Sequence, residues 1–345
     1  MTDKSPVITC TNIWKLFGDN PKSYLNKMPK NYTYDDISAD GYIAGVKDVS
    51  IQVNRGEMLV IMGLSGSGKS TLVRCFSRLH DITSGKILVE GQDIMALSEK
   101  ELIELRRSKM GMVFQSFGLL PHRTILDNVA FPLEMRGQEK HARRERALEV
   151  IKLVGLEGRE DYFPRELSGG QQQRVGIARS LAIEPDIWFL DEPFSALDPL
   201  IRREMQDEFL RLQDILGKTI AFITHDFDEA LRLADRIAIM KNGSIEQCDT
   251  PDQIVLNPAT EYVAKFTREV EKSKVVKVKS LTREFKGMDF SGPAVPANST
   301  IKELARNLIN ETRSVIPVVE NLGQDEKVIG GLDRKEALEI LLKVE

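Results

Sequence analysis

Cysteine, long apolar runs and excess positive charge are all scarce in this sequence. The three cysteines, Cys10, Cys75 and Cys248, are too few and too scattered to form a disulfide framework or a metal-spaced pair. No run approaches the roughly 18 apolar residues that a membrane span needs, and the first residues lack the apolar core of a signal peptide. The formal net charge is −4, so we expect no nucleic-acid partner. Together these absences predict a soluble protein of a reducing, intracellular compartment.

The 345 residues suffice for one large domain and one small domain. Two β-rich stretches, 6–17 and 42–53, predict antiparallel strands. The stretch between them, 19–41, is rich in Asn, Pro, Asp and Tyr. This composition predicts a long loop or a peripheral segment that is not part of the core. A helix-rich stretch is expected at about 117–182.

Short apolar runs that alternate with helical patterns predict a parallel α/β sheet, with right-handed crossovers between its strands. These runs are EMLVIM at 57–62, MVFQ at 112–115, DIWFLDE at 186–192, TIAFIT at 219–224 and RIAIM at 236–240.

The segment GLSGSGKS, residues 63–70, lies between a predicted strand and a predicted helix and fits the pattern G-x-x-x-x-G-K-[ST]. Glycines let the backbone N–H groups turn inward around phosphate oxygens, and the following helix adds its dipole. Lys69 then reaches the β- and γ-phosphates, Ser70 offers a hydroxyl to Mg²⁺, and Thr71 is within reach of the α-phosphate. The predicted nucleotide-binding residues of this loop are Gly63, Ser65, Gly66, Ser67, Gly68, Lys69, Ser70 and Thr71.

The run IWFLDE, residues 187–192, ends in two adjacent carboxylates. A buried strand would deliver Asp191 to Mg²⁺ and direct Glu192 towards an attacking water. Acidic residues often follow strands for other reasons, so this prediction depends on the phosphate-binding loop.

The string LSGGQQQR, residues 167–174, predicts a second anion-binding helix start in the same chain. Ser168 is the expected N-cap, and Gly169 and Gly170 allow close backbone approach. Two glycines at a helix start cost conformational entropy, which favours a functional reason for them.

These motifs, followed by SALD at 195–198 and ITH at 223–225, stand in the order seen in ATP-binding cassette (ABC) ATPases, which the chain resembles over about residues 6–265. The resemblance implies a RecA-like parallel sheet core with an antiparallel β subdomain and a helical subdomain. This ABC ATPase domain is expected at 1–270, with the helical subdomain at about 117–182 and a family-type insert at about 19–41. It implies ATP and Mg²⁺ as cofactors, and the spacing of histidines, cysteines and carboxylates indicates no further metal site.

The resemblance also implies roles for single residues. Gln115 resembles the glutamine that touches Mg²⁺ or water and relays to the membrane partner. Glu192 resembles the family's general base, and His225 resembles the histidine that contacts the γ-phosphate. Asp198 resembles the aspartate at the dimer interface. The Mg²⁺ ligands implied are Ser70, Gln115 and Asp191.

The adenine-stacking aromatic is expected at Phe17, with Trp14 and Tyr42 as alternatives, although an aromatic on a strand is more often part of the core.

In the family, two subunits pair head to tail, so the phosphate-binding loop of one faces the second helix start of the other. The residues expected to act in trans are Ser168, Gly169, Gly170 and Gln171. Because the chain holds one such cassette, the resemblance implies a homodimer.

Longer stretches, among them MVFQSFGLLPH and FSALDPLIRREMQDE, resemble the ATPases of glycine betaine, proline betaine and choline importers, and trimethylamine N-oxide is a related solute. The implied partners are a membrane permease and a periplasmic or membrane-tethered solute-binding protein, with the ATPase at the cytoplasmic face of the inner membrane. DNA-repair ATPases would separate the motifs by long coiled coils, and translation-factor relatives carry two cassettes. An importer of polar amino acids or methionine remains an alternative, although the insert and the tail favour methylated amines.

The tail, 271–345, is expected to hold a linker and a single small α+β domain that resembles one cystathionine-β-synthase (CBS) repeat. Such repeats normally occur in pairs, so either two chains complete a pair or the repeat supports the dimer. Residues 264–286 hold eight Lys and Arg against three Glu. This stretch is either a solvated linker or a contact with anionic lipid that responds to ionic strength.

Overall fold

The computed structural model describes residues 5–113, 118–284, 292–320 and 327–342. The chain divides into two compact units, Met1–Ile245 and Glu246–Glu345. Across the described residues, no helix is both long enough and apolar enough to cross a bilayer.

The strands, in chain order, are β1 Pro6–Phe17, β2 Ile43–Asn54, β3 Met58–Met62, β4 Ser84–Val89, β5 Gln92–Asp93, β6 Met110–Val113, β7 Ile187–Asp191, β8 Thr219–Thr224, β9 Arg236–Lys241, β10 Ser244–Asp249, β11 Thr282–Arg283, β12 Val295–Pro296, β13 Val315–Val319 and β14 Val328–Asp333.

The helices are α1 Pro21–Lys27, α2 Tyr34–Ala39, α3 Lys69–Phe76, α4 Glu99–Lys109, α5 Ile125–Met135, α6 Lys140–Leu153, α7 Gly169–Leu181, α8 Pro199–Leu216, α9 Phe227–Leu233, α10 Pro251–Leu256, α11 Glu261–Thr267, α12 Lys272–Val275, α13 Val278–Leu281, α14 Ala305–Asn310 and α15 Arg334–Leu342, with a 3₁₀ turn at Pro164–Glu166.

The larger sheet of the first unit has the order β10-β9-β3-β8-β7-β6, and the five strands from β9 to β6 run parallel. Strands β3, β7 and β8 are buried along their whole length, as expected where both faces of a parallel sheet are covered. Aromatic side chains fill one side of this core, with Trp188 and Phe209 ring centroids 5.4 Å apart. The predicted parallel α/β core is therefore confirmed.

A second, antiparallel sheet has the order β2-β1-β4-β5. Its two long strands, β1 and β2, lie where the sequence predicts antiparallel strands, and their inward residues alternate with exposed ones. The ladder places the last residue of β1, Phe17, directly opposite the first residue of β2, Ile43.

The insert between β1 and β2 is not the coreless loop that its composition suggests. It contains the short helices α1 and α2, and Ile37 on α2 is completely buried. Ile37 forms a small core with Leu16 and Ala44, and aromatic side chains of the insert pack around it. The prediction that this stretch lies outside any core was wrong, because one face of α2 closes over the end of β1.

Helices α5, α6 and α7 pack against one another in the stretch expected to be helix-rich. The turn before α5 is held by the buried Asn128, whose amide donates to the carbonyls of Leu120, Arg123 and Thr124 at 3.0–3.1 Å. Helix α7 also contacts β6, where Gly111 lies close to the carbonyl oxygen of Ser180 near the C-terminal end of the helix.

The second unit has its own sheet, in the order β11-β14-β13-β12, and its own core of buried side chains that includes Val276, Ile301, Leu308 and Leu332. Leu256 at the end of α10 packs against this core. The two compact units divide at 245/246. The domain boundary expected at 270/271 stays a prediction. Residues 301–304 form turns directly before α14 begins.

Candidate functional site

Three neighbouring parallel strands end at one edge of the larger sheet. Met62 of β3 pairs with Thr224 of β8, and Asp191 of β7 pairs with Ile223 of β8. The residues that follow these strands, the loop after Met62 and the side chains of Glu192 and His225, are therefore brought to the same edge. This is the edge at which open α/β sheets bind ligands.

The loop after β3 needs glycine at two points of close approach. A Cβ on Gly63 would lie 2.3 Å from the carbonyl oxygen of Met240, and Gly63 has φ +148°. A Cβ on Gly68 would lie 2.2 Å from the carbonyl oxygen of Gly45, and Gly68 has φ +102°. No other residue fits either position, so the curl of the loop depends on both glycines.

The ammonium group of Lys69 lies inside this curl, where Nζ donates to the carbonyls of Gly63 at 2.8 Å and Leu64 at 3.0 Å. Burial lowers the pKa of Lys69, while the carboxylates of Glu192 and Asp191 act in the opposite direction. Ser67 Oγ is also buried here and has no hydrogen-bond partner among the described residues. A loop that gathers a buried cation and an unpaired hydroxyl at a helix start is suited to an anion.

Ser70 and Asp191 join the loop to the end of β7. Ser70 Oγ donates to Asp191 Oδ1 at 3.0 Å, and Arg74 Nη2 lies 3.8 Å from Asp191 Oδ2. Burial raises the pKa of Asp191, while the Ser70 hydrogen bond and the Arg74 charge act in the opposite direction. The net shift of the Asp191 pKa is upward. The protein's own groups therefore do not fully offset the cost of burying the ionised Asp191 carboxylate.

Glu192 and His225 face each other across β7 and β8. The distance between His225 Nδ1 and Glu192 Oε2 is 3.2 Å, and the side chain of Glu192 is 18% exposed against 58% for His225. Glu192 has a left-handed backbone, with φ +46°, and its N–H donates to the carbonyl of Ile223. Ser195 Oγ donates to the carbonyl of Glu192 at 3.0 Å. The contacts of Glu192 thus hold its carboxylate beside the imidazole of His225.

The sequence predicts no role for three further residues of the site, Arg202, Gln206 and Glu229. Arg202 on α8 lies 3.4 Å from Asp226 and also donates to the carbonyl of Leu197 at 3.1 Å. Gln206 Nε2 donates to the buried Glu229 Oε1 at 2.9 Å, and burial raises the pKa of Glu229. These contacts support the segment that carries His225. The only sequence signal is the spacing of Asp226 and Glu229, which is typical of a helix start.

Of the three aromatic candidates for the adenine side, Phe17 is the one placed beside the phosphate loop. A Cβ on Gly45 would lie 2.7 Å from Phe17 Cε2 and 2.9 Å from Thr71 Cγ2, so the Phe17 ring and the first turn of α3 meet at Gly45. The ring of Phe17 is also 36% exposed. Trp14 instead packs against the small core of the insert, and Tyr42 stacks on Tyr24.

The second helix start, at α7, is a reciprocal capping box. Ser168 Oγ accepts the N–H of Gln171 at 3.4 Å, and Gln171 Oε1 accepts the N–H of Ser168 at 3.0 Å. A Cβ on Gly170 would lie 2.7 Å from Ile201 Cγ2. Packing against α8 is thus a structural reason for Gly170 that the sequence does not reveal.

Asp198 caps α8, where its carboxylate accepts the N–H of Ile201 at 3.1 Å. The structure therefore brings Ser168, Gly169 and Gly170 close to the segment of Asp198. Helix α7 contacts β6, which lies three strand spacings from β3, about 14 Å. Gln115 lies outside the described residues, so its predicted contact with Mg²⁺ stays a prediction.

Comparison with known proteins agrees with this geometry. A protein-family model described as "ABC transporter" matches residues 46–195. The chain is 73% identical, over 98% of its length and 98% of the relative's, to the trimethylamine N-oxide transport system ATP-binding protein TmoW of Ruegeria pomeroyi. It is 52% identical, over 79% of its length and 68% of the relative's, to the glycine betaine/proline betaine transport system ATP-binding protein ProV of Salmonella typhimurium.

Among solved structures, the chain is similar to a dimeric post-hydrolysis state of the ATP-binding cassette MJ0796 bound to ADP and Pi, with a TM-score of 0.59 and 34% identity over 71% of this chain and 98% of that one. The range matched by the family model includes the phosphate loop, Ser168 and both carboxylates at the end of β7. Phe17 and His225 lie outside that range.

Proposed function

The chain belongs to the family of ABC transporter ATP-binding proteins, and from that premise we propose that it hydrolyses ATP to power uptake of a small methylated amine. Trimethylamine N-oxide is the first candidate solute, ahead of glycine betaine, proline betaine and choline. The observation that carries the proposal is the 73% identity with the trimethylamine N-oxide transport protein over 98% of both chains.

ATP binding is assigned to the edge of the sheet described above. The N–H groups of the curl at 63–68 and the ammonium of Lys69 would hold the phosphates, and Thr71 would lie near the α-phosphate. Phe17 would stack on the adenine, because its half-exposed ring adjoins the first turn of α3.

The residues present fit Mg²⁺. Ser70 Oγ and Asp191 Oδ1 lie 3.0 Å apart and are both oxygen ligands, which a hard cation prefers. A cation would also offset the burial that raises the pKa of Asp191. Gln115 is the proposed third ligand. When bound, Mg²⁺ neutralises charge that develops on the phosphate oxygens.

Glu192 is the proposed general base, which takes a proton from the attacking water as the water oxygen bonds to the γ-phosphorus. Its left-handed backbone turns the side chain out of β7 towards His225, and Ser195 fixes its carbonyl. His225 is proposed to contact the γ-phosphate and, at 3.2 Å, to orient the carboxylate of Glu192. The bond between the γ-phosphorus and the β–γ bridging oxygen breaks as the bond to the water oxygen forms, so ADP leaves with the bridging oxygen and phosphate is released.

We assign the start of α7 to the ATP site of a second subunit. Gly169 and Gly170 lie against Leu197 and Ile201, around the start of α8. Helix α7 contacts β6, and β7 and β8 separate β6 from the strand that carries the phosphate loop. Two chains that pair head to tail would bring each helix start to the other chain's ATP, with Asp198 at the seam. The dimeric state of the similar cassette MJ0796 supports this homodimer.

The remaining partners follow from membership of a transport system. We propose a separate membrane permease beneath which the dimer docks at the cytoplasmic face, and a solute-binding protein on the other side. The ATP-binding subunit does not contact the solute, so the solute is assigned from the relatives and not from residues of this chain.

We propose that the second unit is a regulatory domain built on one CBS-like repeat, which two chains combine into a pair. The element order β12, α14, β13, β14, α15 supports this proposal.

Several charges of the basic stretch at 264–286 are neutralised by ion pairs. Arg268 pairs with Glu261, Lys274 with Glu271, and Arg283 with Glu336. Lys274 and Lys302 hold the pKa of Glu271 at about 2. Among the described lysines of the stretch, those that are exposed in addition to Lys274 are Lys265, Lys272, Lys277 and Lys279.

The test of the solute class is ATP hydrolysis in membranes that hold this chain with its permease and solute-binding protein. We expect trimethylamine N-oxide to stimulate phosphate release, with weaker responses to glycine betaine, proline betaine and choline. Stimulation by methionine or a polar amino acid, with no response to any methylated amine, would replace the proposed solute class and leave the ATPase assignment intact.

A further inference from the structure

The insert between β1 and β2 is much longer than the connection requires. Phe17 and Ile43 already face each other across the antiparallel ladder, and a two-residue turn would join such strands. The chain instead builds two helices and a small core at this point. Ordering such a segment costs conformational entropy, and this cost favours a functional reason for the insert.

An aromatic stack forms the centre of the insert. The rings of Tyr24 and Tyr42 lie 3.9 Å apart and nearly parallel, at 14°. Both hydroxyls are engaged, since Tyr24 donates to Asp40 Oδ2 at 2.8 Å and Tyr42 donates to the carbonyl of Asp19 at 2.6 Å. The Tyr42 ring is therefore fixed at its face by Tyr24 and at its tip by the backbone that follows Gly18.

The Tyr42 ring lies directly against the residue that follows Phe17. A Cβ on Gly18 would lie 2.5 Å from Tyr42 Cδ1 and 2.8 Å from Cε1, and the three atoms nearest to that position all belong to Tyr42. Gly18 also has φ +143°, which favours glycine. Only a glycine allows the backbone after Phe17 to rest on this ring.

On its other sides, Phe17 is contacted by residues of α3, of the segment that follows α3 and of β1. Its ring adjoins Thr71 at Gly45, meets His80 edge-on with centroids 5.7 Å apart, and has Lys15 Nζ 4.8 Å from its centroid. The direction of the Phe17 side chain is thus set by α3 on one side and by the Gly18–Tyr42 contact on the other.

We propose that the insert is a support for the adenine-stacking residue: Tyr42, fixed by Tyr24, positions Phe17 through Gly18 and thereby sets the affinity for the base of ATP. Tyr42 is a positioning residue, because it acts through Phe17. The inference rests on the proposed ATP-binding role of Phe17.

The experiment measures binding of ATP and of inorganic tripolyphosphate, which has no base, to the purified full-length chain. The variants are Tyr42→Leu, Phe17→Ala and the double variant, with Tyr42→Phe as the conservative change and Tyr32→Leu as a matched change in the same aromatic cluster. Phe17→Ala should weaken ATP binding about tenfold, the size of a lost base–aromatic stack. Tyr42→Leu should weaken it about fivefold, and Tyr42→Phe and Tyr32→Leu less than about twofold. Tripolyphosphate binding should not change.

A double-mutant cycle decides whether Tyr42 acts through Phe17. The double variant should bind ATP no more weakly than Phe17→Ala alone. The inference would be overturned if the losses of ATP affinity in the two single variants multiplied in the double variant. It would also be overturned if Tyr42→Leu weakened tripolyphosphate binding, or if Tyr32→Leu weakened ATP binding as much as Tyr42→Leu does. If Phe17→Ala weakens ATP binding and Tyr42→Leu does not, only the role of the insert falls. If Phe17→Ala has no effect, the proposed adenine role of Phe17 falls with it.

Discussion

Replacing Glu192 by Gln exchanges one carboxylate oxygen for an amide nitrogen at the point where β7 meets the site. The side chain keeps its length, so Lys69, Ser70 and Asp191 should hold the nucleotide as before. An amide cannot take a proton from water, and a well-placed general base contributes about 10²- to 10⁴-fold to the rate. We therefore expect kcat to fall by about that factor, while ATP affinity stays within about twofold of the wild-type value.

The assay is phosphate release by the purified chain at saturating Mg–ATP, together with equilibrium ATP binding. Glu184→Gln is a matched control, because Glu184 is also a glutamate with a left-handed backbone, at φ +52°, but lies on the surface, where it pairs with Arg146. An exposed pair of this kind contributes little, so this variant should keep its activity. Turnover of Glu192→Gln within about threefold of the wild type would remove Glu192 from the role of base.

Three further predictions follow from the same contacts. In a head-to-tail dimer, mixing Lys69→Ala subunits with Ser168→Arg subunits confines both defects to one of the two composite sites. Phosphate release by the mixture should therefore exceed that of either variant alone. Full activity of each variant alone would exclude composite sites. Because burial raises the pKa of Glu229, its ionisation costs folding free energy above that pKa, and the cost disappears as pH falls to the ordinary glutamate range. Glu229→Gln should therefore have a higher thermal midpoint than the wild type at pH 8 and lose this advantage towards pH 4, whereas a pH-independent difference would contradict the assignment. Replacing the exposed lysines of the basic stretch by Gln should flatten the dependence of transport on internal salt in anionic vesicles and leave basal ATP hydrolysis unchanged; an unaltered salt profile would leave the tail as a support for the dimer. The lysines to be replaced are Lys265, Lys272, Lys277 and Lys279.

The grouping of the proposed catalytic residues at one edge of the sheet was predictable because these residues follow strongly apolar runs. Parallel strands gather their carboxyl ends at one edge, so Lys69, Asp191 and His225 could be placed together from sequence once each run was identified as a buried strand. The ion pair of Arg202 with Asp226 and the contact of Gly170 with Ile201 could not be predicted in this way. They join distant segments through tertiary packing, which leaves no periodic pattern.

The insert shows a different reason for failure. Helices of 6 and 7 residues are too short to display a 3.6-residue period, and the surrounding Asn, Asp and Pro favour a loop. Start signals were nevertheless present, since Pro21 stands at the first turn of α1 and Thr33 forms a capping box with Asp36 at α2. Likewise, the contact of Leu256 with the core of the second unit joins segments that no sequence pattern links.

The most direct test of the central claim is accumulation of labelled trimethylamine N-oxide in proteoliposomes that contain this chain, its permease and its solute-binding protein, with ATP on the side of the ATP-binding subunit. We predict uptake that requires ATP and is abolished by Lys69→Ala, because that substitution removes the cation from the phosphate loop. Uptake that continues without ATP or in the Lys69→Ala protein, or ATP-driven uptake confined to solutes that are not methylated amines, would contradict the account.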